Sequence, residues 1–335
     1  MKVVAVLGAG AWGTTFANIL ADAGENVNLW ARNSLTAQQM QSDRTSSYLP
    51  GAKLEDSVTV TSNMVGAVDG ADAVFVAIPS DVCAQALAPL RGAISDDTPV
   101  ASLTKGLRGE QFATDVIREA LDLRSEQVCA ISGPNLAREI VYKQPAATVV
   151  ACENEDVAKF VGTICDAGYF RPYYSTDMIG VEVAGVTKNV IALAVGAASG
   201  MGFGNNTQST LLTRGLAEMT RLGVALGASA ETFLGLAGIG DLSATCASKL
   251  SRNFTFGSNI GRGMSVSQAL EVSQGTVEGM KSCRAVAQLA SAKGVEMPIT
   301  ESVVDVIYHG LTAPQMGAKL LGRPRKRDGV QIEMI

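Results

Sequence analysis

The chain has 335 residues, of which 47% are apolar and 18% are charged, against a usual charged share of about 25%. This length and composition predict two domains with sizeable cores and exclude an intrinsically disordered protein. The 27 Lys and Arg residues against 32 Asp and Glu residues give a net charge of -5, which argues against general nucleic-acid binding.

The first half of the chain alternates strand-like and helix-like segments. A β-branched run at 3–7 predicts a buried strand, and a glycine-rich turn and a helix to about Ala23 follow it. Further strands are predicted at 27–30, 58–61, 73–78, 100–103, 128–132, 147–151 and 170–174, and further helices at 81–90, 112–121 and 156–167. The alternation predicts an α/β domain with a mostly parallel, doubly wound (Rossmann) sheet over residues 1–178.

From about Asp177 onward the pattern is helical. Helices are predicted at 181–195, 211–226, 265–272 and 281–293, and no segment reads as a strand. The sequence therefore predicts a second, all-helical domain over residues 179–335, with substrate-binding and catalytic roles. A basic run from Arg323 to Arg327 is interpreted as a solvated tail, with an anion contact as the minor alternative.

Compartment and metal content follow from a few residues. The six cysteines form no CxxC pair, and with His309 as the only histidine there is no zinc spacing, so we predict buried thiols of a reducing compartment and no metal. The stretch from Val3 to Ala21 is uncharged, but glycines and polar residues interrupt it. We expect a soluble, cytoplasmic protein without membrane insertion, in which His309 has a structural role.

The segment Gly8-Ala9-Gly10-Ala11-Trp12-Gly13 matches the G-x-G-x-x-G pattern between a predicted strand and a predicted helix. In that setting the first glycine allows a tight turn, the second lets a pyrophosphate approach the backbone, and the third lets helix and strand pack closely. The free N–H groups of the helix would bind the phosphates. A glycine-rich turn without a ligand is the alternative that this context disfavours.

The end of the second predicted strand bears on which dinucleotide is bound. An Asp or Glu for the ribose hydroxyls is absent there, where the chain reads Trp30-Ala31-Arg32-Asn33. Arg32 could pair with a 2′-phosphate, which favours NADP(H) with NAD(H) tolerated. A surface arginine without a ligand is the other interpretation.

Two loops follow predicted strands at the sheet edge where ligands bind. Lys105, in Thr104-Lys105-Gly106, could meet a polar substrate or be a solvated loop lysine. Gly133, Asn135 and Ala137 lie in the second loop, where Asn135 could instead cap the helix that follows.

Lys188 is the most informative charge because apolar residues surround it in the sequence. A buried lysine must be paired or lose its proton, which lowers its pKa and suits it to general acid–base catalysis. Alternatively its stem packs while its head reaches water. Periodicity does not decide between the two.

Downstream polar residues could complete a phosphate site. Ser251, Arg252 and Asn253 combine a hydroxyl, a guanidinium and an amide, which suits a phosphate monoester, although Ser251 could simply cap a helix. Asp241 could orient a lysine or cap a helix.

Long motifs across nearly the whole chain resemble the bacterial NAD(P)-dependent glycerol-3-phosphate dehydrogenases. They are GAGAWGTTFA near the start, TKG at 104–106, SGPNLAREI at 132–140, EVAGVTKNVIALAVG at 182–196, TRGLAEMTRLG at 213–223 and GLAGIGDLSATCASKLSRNFTFG at 235–257. The resemblance implies reversible reduction of dihydroxyacetone phosphate to sn-glycerol 3-phosphate with NAD(P)H, a product that feeds phospholipid synthesis. It also implies a homodimer.

The resemblance assigns roles to individual residues of this chain. Lys188 matches the family's catalytic lysine, and Lys105 matches a lysine that touches substrate and cofactor. With Asp241, Lys105 is a further predicted catalytic residue. Substrate positions are matched by Gly133, Asn135, Asp241, Ser251, Arg252 and Asn253. Cofactor positions are matched by Gly8, Gly10, Ala11, Trp12, Gly13, Arg32, Lys105, Ala137, Arg252, Thr276 and Glu278.

The chain departs from the family pattern at two places. Asn135 and Leu136 stand where Ser or Thr followed by Phe is common, which puts the hydroxyl contact at residue 135 in doubt. Ala198-Ser199-Gly200 stands where Asp-Gly is common. Two other functions fit the fold: a 3-hydroxyacid dehydrogenase of the same two-domain plan, and a dinucleotide-binding sensor without catalysis.

Overall fold

A computed structural model of the chain describes residues 1–273 and 275–324. The chain folds into two compact units, an N-terminal unit of Met1–Met178 and a C-terminal unit that begins at Ile179. The fold class predicted from the sequence is confirmed: the first unit is an α/β sheet domain and the second is helical.

The N-terminal unit is built on one eight-stranded sheet and a small hairpin. The strands are β1 (Val3–Leu7), β2 (Asn26–Trp30), β3 (Val58–Thr61), β4 (Ala73–Val76), β5 (Val100–Ser102), β6 (Leu107–Arg108), β7 (Gln111–Phe112), β8 (Val128–Ser132), β9 (Ala146–Ala151) and β10 (Phe170–Ser175). The large sheet has the order β10-β9-β8-β5-β4-β1-β2-β3. The six strands from β3 to β8 in that order are parallel, while β9 pairs with β8 antiparallel and β10 runs parallel to β9.

Helices connect these strands. They are α1 (Ala11–Asp22), α2 (Ser34–Asp43), α3 (Met64–Val68), α4 (Ser80–Leu87), α5 (Ala113–Leu121), α6 (Ala137–Ile140) and α7 (Glu155–Cys165). One apolar cluster of the sheet contains Phe16, Phe75 and Phe170, and a second contains Leu87 and Ile117. Two separate clusters are what a doubly wound sheet requires, because helices cover both of its faces.

The sequence did not predict every element of this unit. α2, α3 and the β6–β7 hairpin were missed, and α6 was expected only as a helix after Asn135, without bounds. The predicted helix 81–90 ends as an α-helix at Leu87 before a short 3-10 turn at Ala88–Leu90. α2 carries mostly polar residues and only two buried ones, so apolar periodicity could not reveal it. The cap at its start holds it, since Asn33 accepts a hydrogen bond from the Thr36 N–H at 3.0 Å.

Every regular element described after Met178, up to residue 324, is helical. They are α8 (Met178–Gly200), α9 (Asn205–Ala225), α10 (Asp241–Ala247), α11 (Arg252–Gly261), α12 (Val266–Glu271), α13 (Glu278–Ala292), α14 (Pro298–Tyr308) and α15 (Ala313–Leu321). The sequence predicted neither α14 nor α15, and it offered Asp241 and Ser251 only as possible caps, without bounds for α10 or α11. Short 3-10 and π-type turns at Ala230–Leu234 and Leu236–Gly240 lead into α10.

α8 is the core helix of the C-terminal unit. It is long and apolar enough to cross a membrane, but 83% of its most apolar 18-residue stretch is buried inside the protein. Glycines bring α11 against it: a Cβ on Gly257 would lie 2.1 Å from the Leu193 carbonyl oxygen, and one on Gly200 would lie 2.1 Å from the Ser258 carbonyl oxygen. The backbones of the two helices therefore touch, and this contact fixes the side chains they carry.

Candidate active site

The turn at residues 8–13 has the geometry that its three glycines predict. Gly8 has a φ of +122°, which favours glycine, and a Cβ on Gly13 would lie 1.9 Å from the Gly8 carbonyl oxygen. Gly10 precedes the first turn of α1, and a Cβ there would meet no atom within 4 Å. Ala11 and Trp12 begin α1, and the centroids of the Trp12 and Phe16 rings lie 5.5 Å apart.

A backbone cradle therefore stands at the start of α1, directly after β1. The N-terminus of α1 offers N–H groups and a positive dipole end, and Gly10 places no side chain over them. These features fit the pyrophosphate of a dinucleotide. Arg32 follows β2, the neighbouring strand, with an exposed side chain, and it lies on the same carboxyl-end edge of the sheet as the glycines.

The loop between β8 and α6, which contains Gly133 and Asn135, is held from two sides. Lys105 follows β5, and its Nζ donates a hydrogen bond to the Gly133 carbonyl oxygen at 3.2 Å. Asn135 does not cap α6, whose N-cap residue is Leu136. Its amide bonds to β9 instead: Nδ2 donates to the Ala147 carbonyl oxygen at 3.2 Å, and Oδ1 accepts from the Thr148 hydroxyl at 2.9 Å.

Ala137 begins α6 and links it to α1. Its carbonyl oxygen accepts a hydrogen bond from the Thr15 hydroxyl at 3.3 Å. The predicted cofactor residue Ala137 is therefore tied to the helix that begins at the glycine turn.

Lys188 lies in the middle of α8 and is buried. Its Nζ lies 2.6 Å from Asp241 Oδ1 and 2.9 Å from Thr245 Oγ1, and Thr245 also donates to Asp241 Oδ1 at 3.2 Å. The side chains of Lys188 and Asp241 are only 10% and 2% exposed. The interpretation in which the lysine head reaches water is therefore wrong, and of the two roles considered for Asp241 the structure shows the orientation of a lysine. We call Lys188, Asp241 and Thr245 the lysine cluster.

The lysine cluster depends on how α10 begins. The turn before it is tight, because a Cβ on Gly238 would lie 2.2 Å from the Phe233 carbonyl oxygen. Asp241 and Thr245 then stand one helical turn apart on α10, so both face the same lysine. Burial of a charge in this way requires its partner, since an unpaired ammonium would cost several kcal/mol.

A second set of polar groups adjoins the lysine on α8. Asn189 donates to Glu278 Oε2 at 3.0 Å and accepts from the Asn253 amide at 2.9 Å. Asn253 Oδ1 in turn accepts from the Gly279 N–H at 2.9 Å. We call Asn189, Asn253, Glu278 and Gly279 the amide network; it joins α8, α11 and the first turn of α13.

The remaining predicted residues lie around this network. Ser251 caps α11, accepting from the Phe254 N–H at 3.2 Å, so its side chain has the structural role considered for it. Arg252 is exposed at the first position of α11, and its Nη1 lies 2.9 Å from where a Cβ on Gly275 would stand. Thr276 is half-buried just before α13.

His309 and Arg323 lie elsewhere in the C-terminal unit. His309 is exposed at the end of α14, and its Nδ1 lies 2.9 Å from Asp305 Oδ1. Arg323 pairs with Glu296 at 3.1 Å, and residues 325–327 of the predicted basic run lie outside the described residues.

The sequence did not predict Thr245 and Asn189 as site residues. A signal existed for each: Thr245 stands four residues after Asp241, the spacing of neighbours on a helix face, and Asn189 is a second polar residue inside an apolar helix. Within residues 1–273 and 275–324, no group of three or more His, Cys, Asp or Glu side chains could hold a metal ion.

A doubly wound sheet with a glycine turn after its first strand, together with a helical unit that buries a paired lysine, defines a dinucleotide-binding oxidoreductase. Comparison with known sequences gives the family. A profile described as NAD-dependent glycerol-3-phosphate dehydrogenase N-terminus matches residues 3–158, and one described as the C-terminus of the same enzyme matches residues 177–318. The chain belongs to the NAD-dependent glycerol-3-phosphate dehydrogenase family.

Individual relatives agree with this assignment over almost the full chain. A glycerol-3-phosphate dehydrogenase [NAD(P)+] from Corynebacterium kroppenstedtii is 48% identical over 332 residues, covering 98% of this chain and 100% of that one. One from Streptomyces griseus is 47% identical over 325 residues, covering 96% and 97%. A crystal structure of glycerol-3-phosphate dehydrogenase from Coxiella burnetii superposes with a TM-score of 0.90 at 34% identity, covering 96% of this chain and 99% of that one.

Proposed function

We propose that this chain reduces dihydroxyacetone phosphate to sn-glycerol 3-phosphate, reversibly, with NAD(P)H, and so supplies glycerophospholipid synthesis. The names of relatives at 47% and 48% identity over nearly the whole chain support the reaction. The single structural observation that carries it is the buried lysine cluster, because it presents a fixed ammonium group of the kind that ketone reduction needs.

Lys188 is the group that we assign to the carbonyl oxygen of the substrate. NAD(P)H, when bound, supplies the hydride that reduces the ketone carbon. Negative charge then develops on the carbonyl oxygen, and the ammonium group of Lys188 stabilises that charge and donates a proton. Asp241 and Thr245 hold Nζ in one place, so no reorganisation is needed as the charge develops.

Phosphate binding falls mainly to Arg252 in this proposal. Its guanidinium is exposed and can bind phosphate oxygens in a bidentate manner. Asn253 has already used its amide oxygen and one N–H in the amide network, which leaves one N–H for a phosphate oxygen. Phosphate binding would contribute to catalysis by positioning the reacting carbon.

On the N-terminal unit, we assign the cofactor phosphates to the start of α1 and the adenosine 2′-phosphate to Arg32. Lys105 adds positive charge for substrate and cofactor, with Gly133 and Asn135 as its substrate-binding neighbours. Ala137, Thr276 and Glu278 are further proposed cofactor contacts, and Ser251 supports the substrate site through the cap it makes on α11.

Replacing Lys188 tests the proposed role. We expect Lys188→Ala to lower kcat with dihydroxyacetone phosphate by about 10²- to 10⁴-fold, the usual contribution of a positioned general acid. The measurement is the oxidation of NADPH and of NADH by absorbance. Lys293→Ala, an exposed lysine at the end of α13, is the matched control and should keep wild-type turnover.

Near-normal turnover of Lys188→Ala would remove this lysine from the mechanism. Replacing dihydroxyacetone phosphate with 3-oxo acids in the same assay addresses the two rival functions. Turnover of an oxo acid but not of the phosphate ester would favour a hydroxyacid dehydrogenase. Cofactor binding without turnover of any carbonyl compound would favour a sensor.

We also propose a cytoplasmic homodimer. The cytoplasmic location is supported by the six cysteines, which are all buried free thiols, as the sequence analysis predicts. Burial raises the pKa of Cys83 and of Cys246 to about 12, which keeps both thiols protonated and unreactive. The dimer is supported by the family resemblance, and light scattering would distinguish it from a monomer of 34.7 kDa.

A further inference from the structure

We propose that Thr148, on β9, is a positioning residue that acts through Asn135 on the loop at residues 133–135. The inference rests on the proposed function, in which this loop and Lys105 bind the substrate. Thr148 is fully buried, and its hydroxyl lies 2.9 Å from Asn135 Oδ1. No motif pointed to it, because it is one polar residue inside a strand.

The direction of the hydrogen bond between Thr148 and Asn135 is fixed by a third group. The Ala147 carbonyl oxygen can only accept, so it is the amide nitrogen of Asn135 that faces it, at 3.2 Å. Asn135 Oδ1 must then face Thr148, whose hydroxyl must donate. A threonine has one hydroxyl proton, and the other acceptor within reach, the Ser132 carbonyl oxygen, is farther away at 3.2 Å.

Asn135 is thus clamped to β9 through both ends of its amide. The hydroxyl that the family resemblance leads us to expect at residue 135 is missing from that residue, but a hydroxyl stands beside it on Thr148. Because Thr148 is excluded from water, its bond to Asn135 does not compete with solvent and is correspondingly strong.

The clamp extends to Lys105 through Gly133. A Cβ on Gly133 would lie 3.0 Å from the α-carbon of Thr148, so the backbone of the loop rests directly on this residue. The Gly133 carbonyl oxygen accepts the hydrogen bond from Lys105 Nζ. Any movement of the loop away from β9 therefore moves an acceptor of the Lys105 ammonium.

Kinetics of a hydroxyl-free variant test the proposal. We expect Thr148→Val, which keeps the side-chain shape, to raise KM for dihydroxyacetone phosphate about 2- to 10-fold, the factor for loss of one neutral hydrogen bond. kcat should stay within about 2-fold, because Lys188 and its partners are untouched and uniform binding is what is lost. Thr148→Ser, which keeps the hydroxyl, should restore most of the wild-type KM.

The matched control removes a comparable hydroxyl elsewhere in the same unit. Thr98 precedes β5, at the opposite end of the strands, and donates to the Ala71 carbonyl oxygen at 3.2 Å. Thr98→Val should leave KM and kcat unchanged. Thr148→Ala is a second hydroxyl-free variant, so that the result does not depend on how one valine fits.

A double-mutant cycle shows whether Thr148 acts through Asn135. In an Asn135→Ala background, Thr148→Val should raise KM no further, whereas independent structural damage would multiply the two effects. Multiplying effects, or a wild-type KM in Thr148→Val and Thr148→Ala, would overturn the positioning role alone. A wild-type enzyme without turnover of dihydroxyacetone phosphate would instead overturn the proposed function, and this inference with it.

Discussion

At the scale of single residues, the two lysines assigned to the reaction differ in how their charge is held. Lys188 is buried against a carboxylate at 2.6 Å, whereas Lys105 is half-buried and donates to a backbone carbonyl. A paired, buried ammonium has one position and one set of partners, which suits proton donation to a defined atom. A lysine on a loop suits attraction of a phosphorylated substrate.

Arg32 gives the residue-scale prediction on cofactor choice. We expect Arg32→Ala to raise KM for NADPH by about 10-fold or more and to leave KM for NADH within about 2-fold, because only NADPH has a 2′-phosphate to pair with a guanidinium. Steady-state kinetics with both cofactors measure the two values. Arg91→Ala, at an exposed arginine after Leu90, is the control. Equal losses for both cofactors would refute the role.

The partners of the site residues show what the sequence could and could not predict at this scale. The roles of Gly8 and Gly13 followed from spacing, since the pattern needs only a strand before it and a helix after it. The partner of Lys188 is 53 residues away in the chain, and Asn189 and Glu278 are 89 residues apart. No local pattern encodes such pairs: the residue types allowed only that Asp241 could orient a lysine, and the family resemblance was needed to name Lys188 and Glu278 as site residues.

At the scale of elements, α8 and α11 pack by glycine contacts that run in both directions. Each helix carries two such glycines four residues apart, Gly196 and Gly200 on α8 and Gly257 and Gly261 on α11. Each of these glycines faces a carbonyl oxygen of the other helix. This spacing was present in the sequence as two GxxxG patterns. Because α8 carries Asn189 and α11 carries Asn253, close packing of the helices brings the two amides within hydrogen-bond distance.

A methyl group in this contact should therefore be costly. We expect Gly257→Ala to lower the free energy of unfolding by about 1–3 kcal/mol, because its Cβ would lie 2.1 Å from the Leu193 carbonyl oxygen and the backbone must shift. Gly317→Ala is the matched control: Gly317 lies inside α15 with nothing within 4 Å of its Cβ, so helix propensity should raise stability by up to about 1 kcal/mol. Thermal midpoints of the two variants, measured side by side, should move in opposite directions.

Strands and helices of the N-terminal unit were easier to predict than those of the C-terminal unit. Most strands of the large sheet are short segments with β-branched residues between turns, although β10 has none, and β1, β3 and β8 have the predicted bounds. α11 was missed because its buried face is partly glycine, which carries no apolar signal, and Ser251 was weighed as a cap without a helix being assigned.

At the scale of the whole molecule, one buried carboxyl links stability to pH. Glu218, on α9, accepts hydrogen bonds from the first N–H groups of α14, those of Ile299 at 2.7 Å and Thr300 at 3.2 Å. Burial raises the pKa of Glu218 to about 7, although these N–H groups and the charge of Arg221 oppose the shift. Between pH 4.5 and 7 the folded protein therefore holds a proton that the unfolded chain has released.

The sign of the pH dependence follows from that difference. The stability that this proton contributes is fully present below about pH 4.5 and is lost as pH rises through 7, by up to about 3 kcal/mol at 1.36 kcal/mol per pKa unit. We expect wild type to lose stability relative to Glu218→Gln over that range in thermal unfolding. Glu301→Gln, at an exposed carboxyl in the first turn of α14, should leave the pH profile of the wild type unchanged. Parallel profiles for wild type and Glu218→Gln would contradict the linkage.

The apolar length of α8 also has a consequence for how the chain is made. During synthesis this helix leaves the ribosome before α9, α11 and α13 have been made to cover it. Until then the nascent chain exposes a 23-residue apolar segment that a membrane-insertion machinery could capture. Lys188 near its centre carries a penalty of roughly 2.5–3.5 kcal/mol for entry into lipid. The same ammonium that we assign to ketone reduction therefore lowers the tendency of the newly made segment to enter lipid before its neighbouring helices cover it.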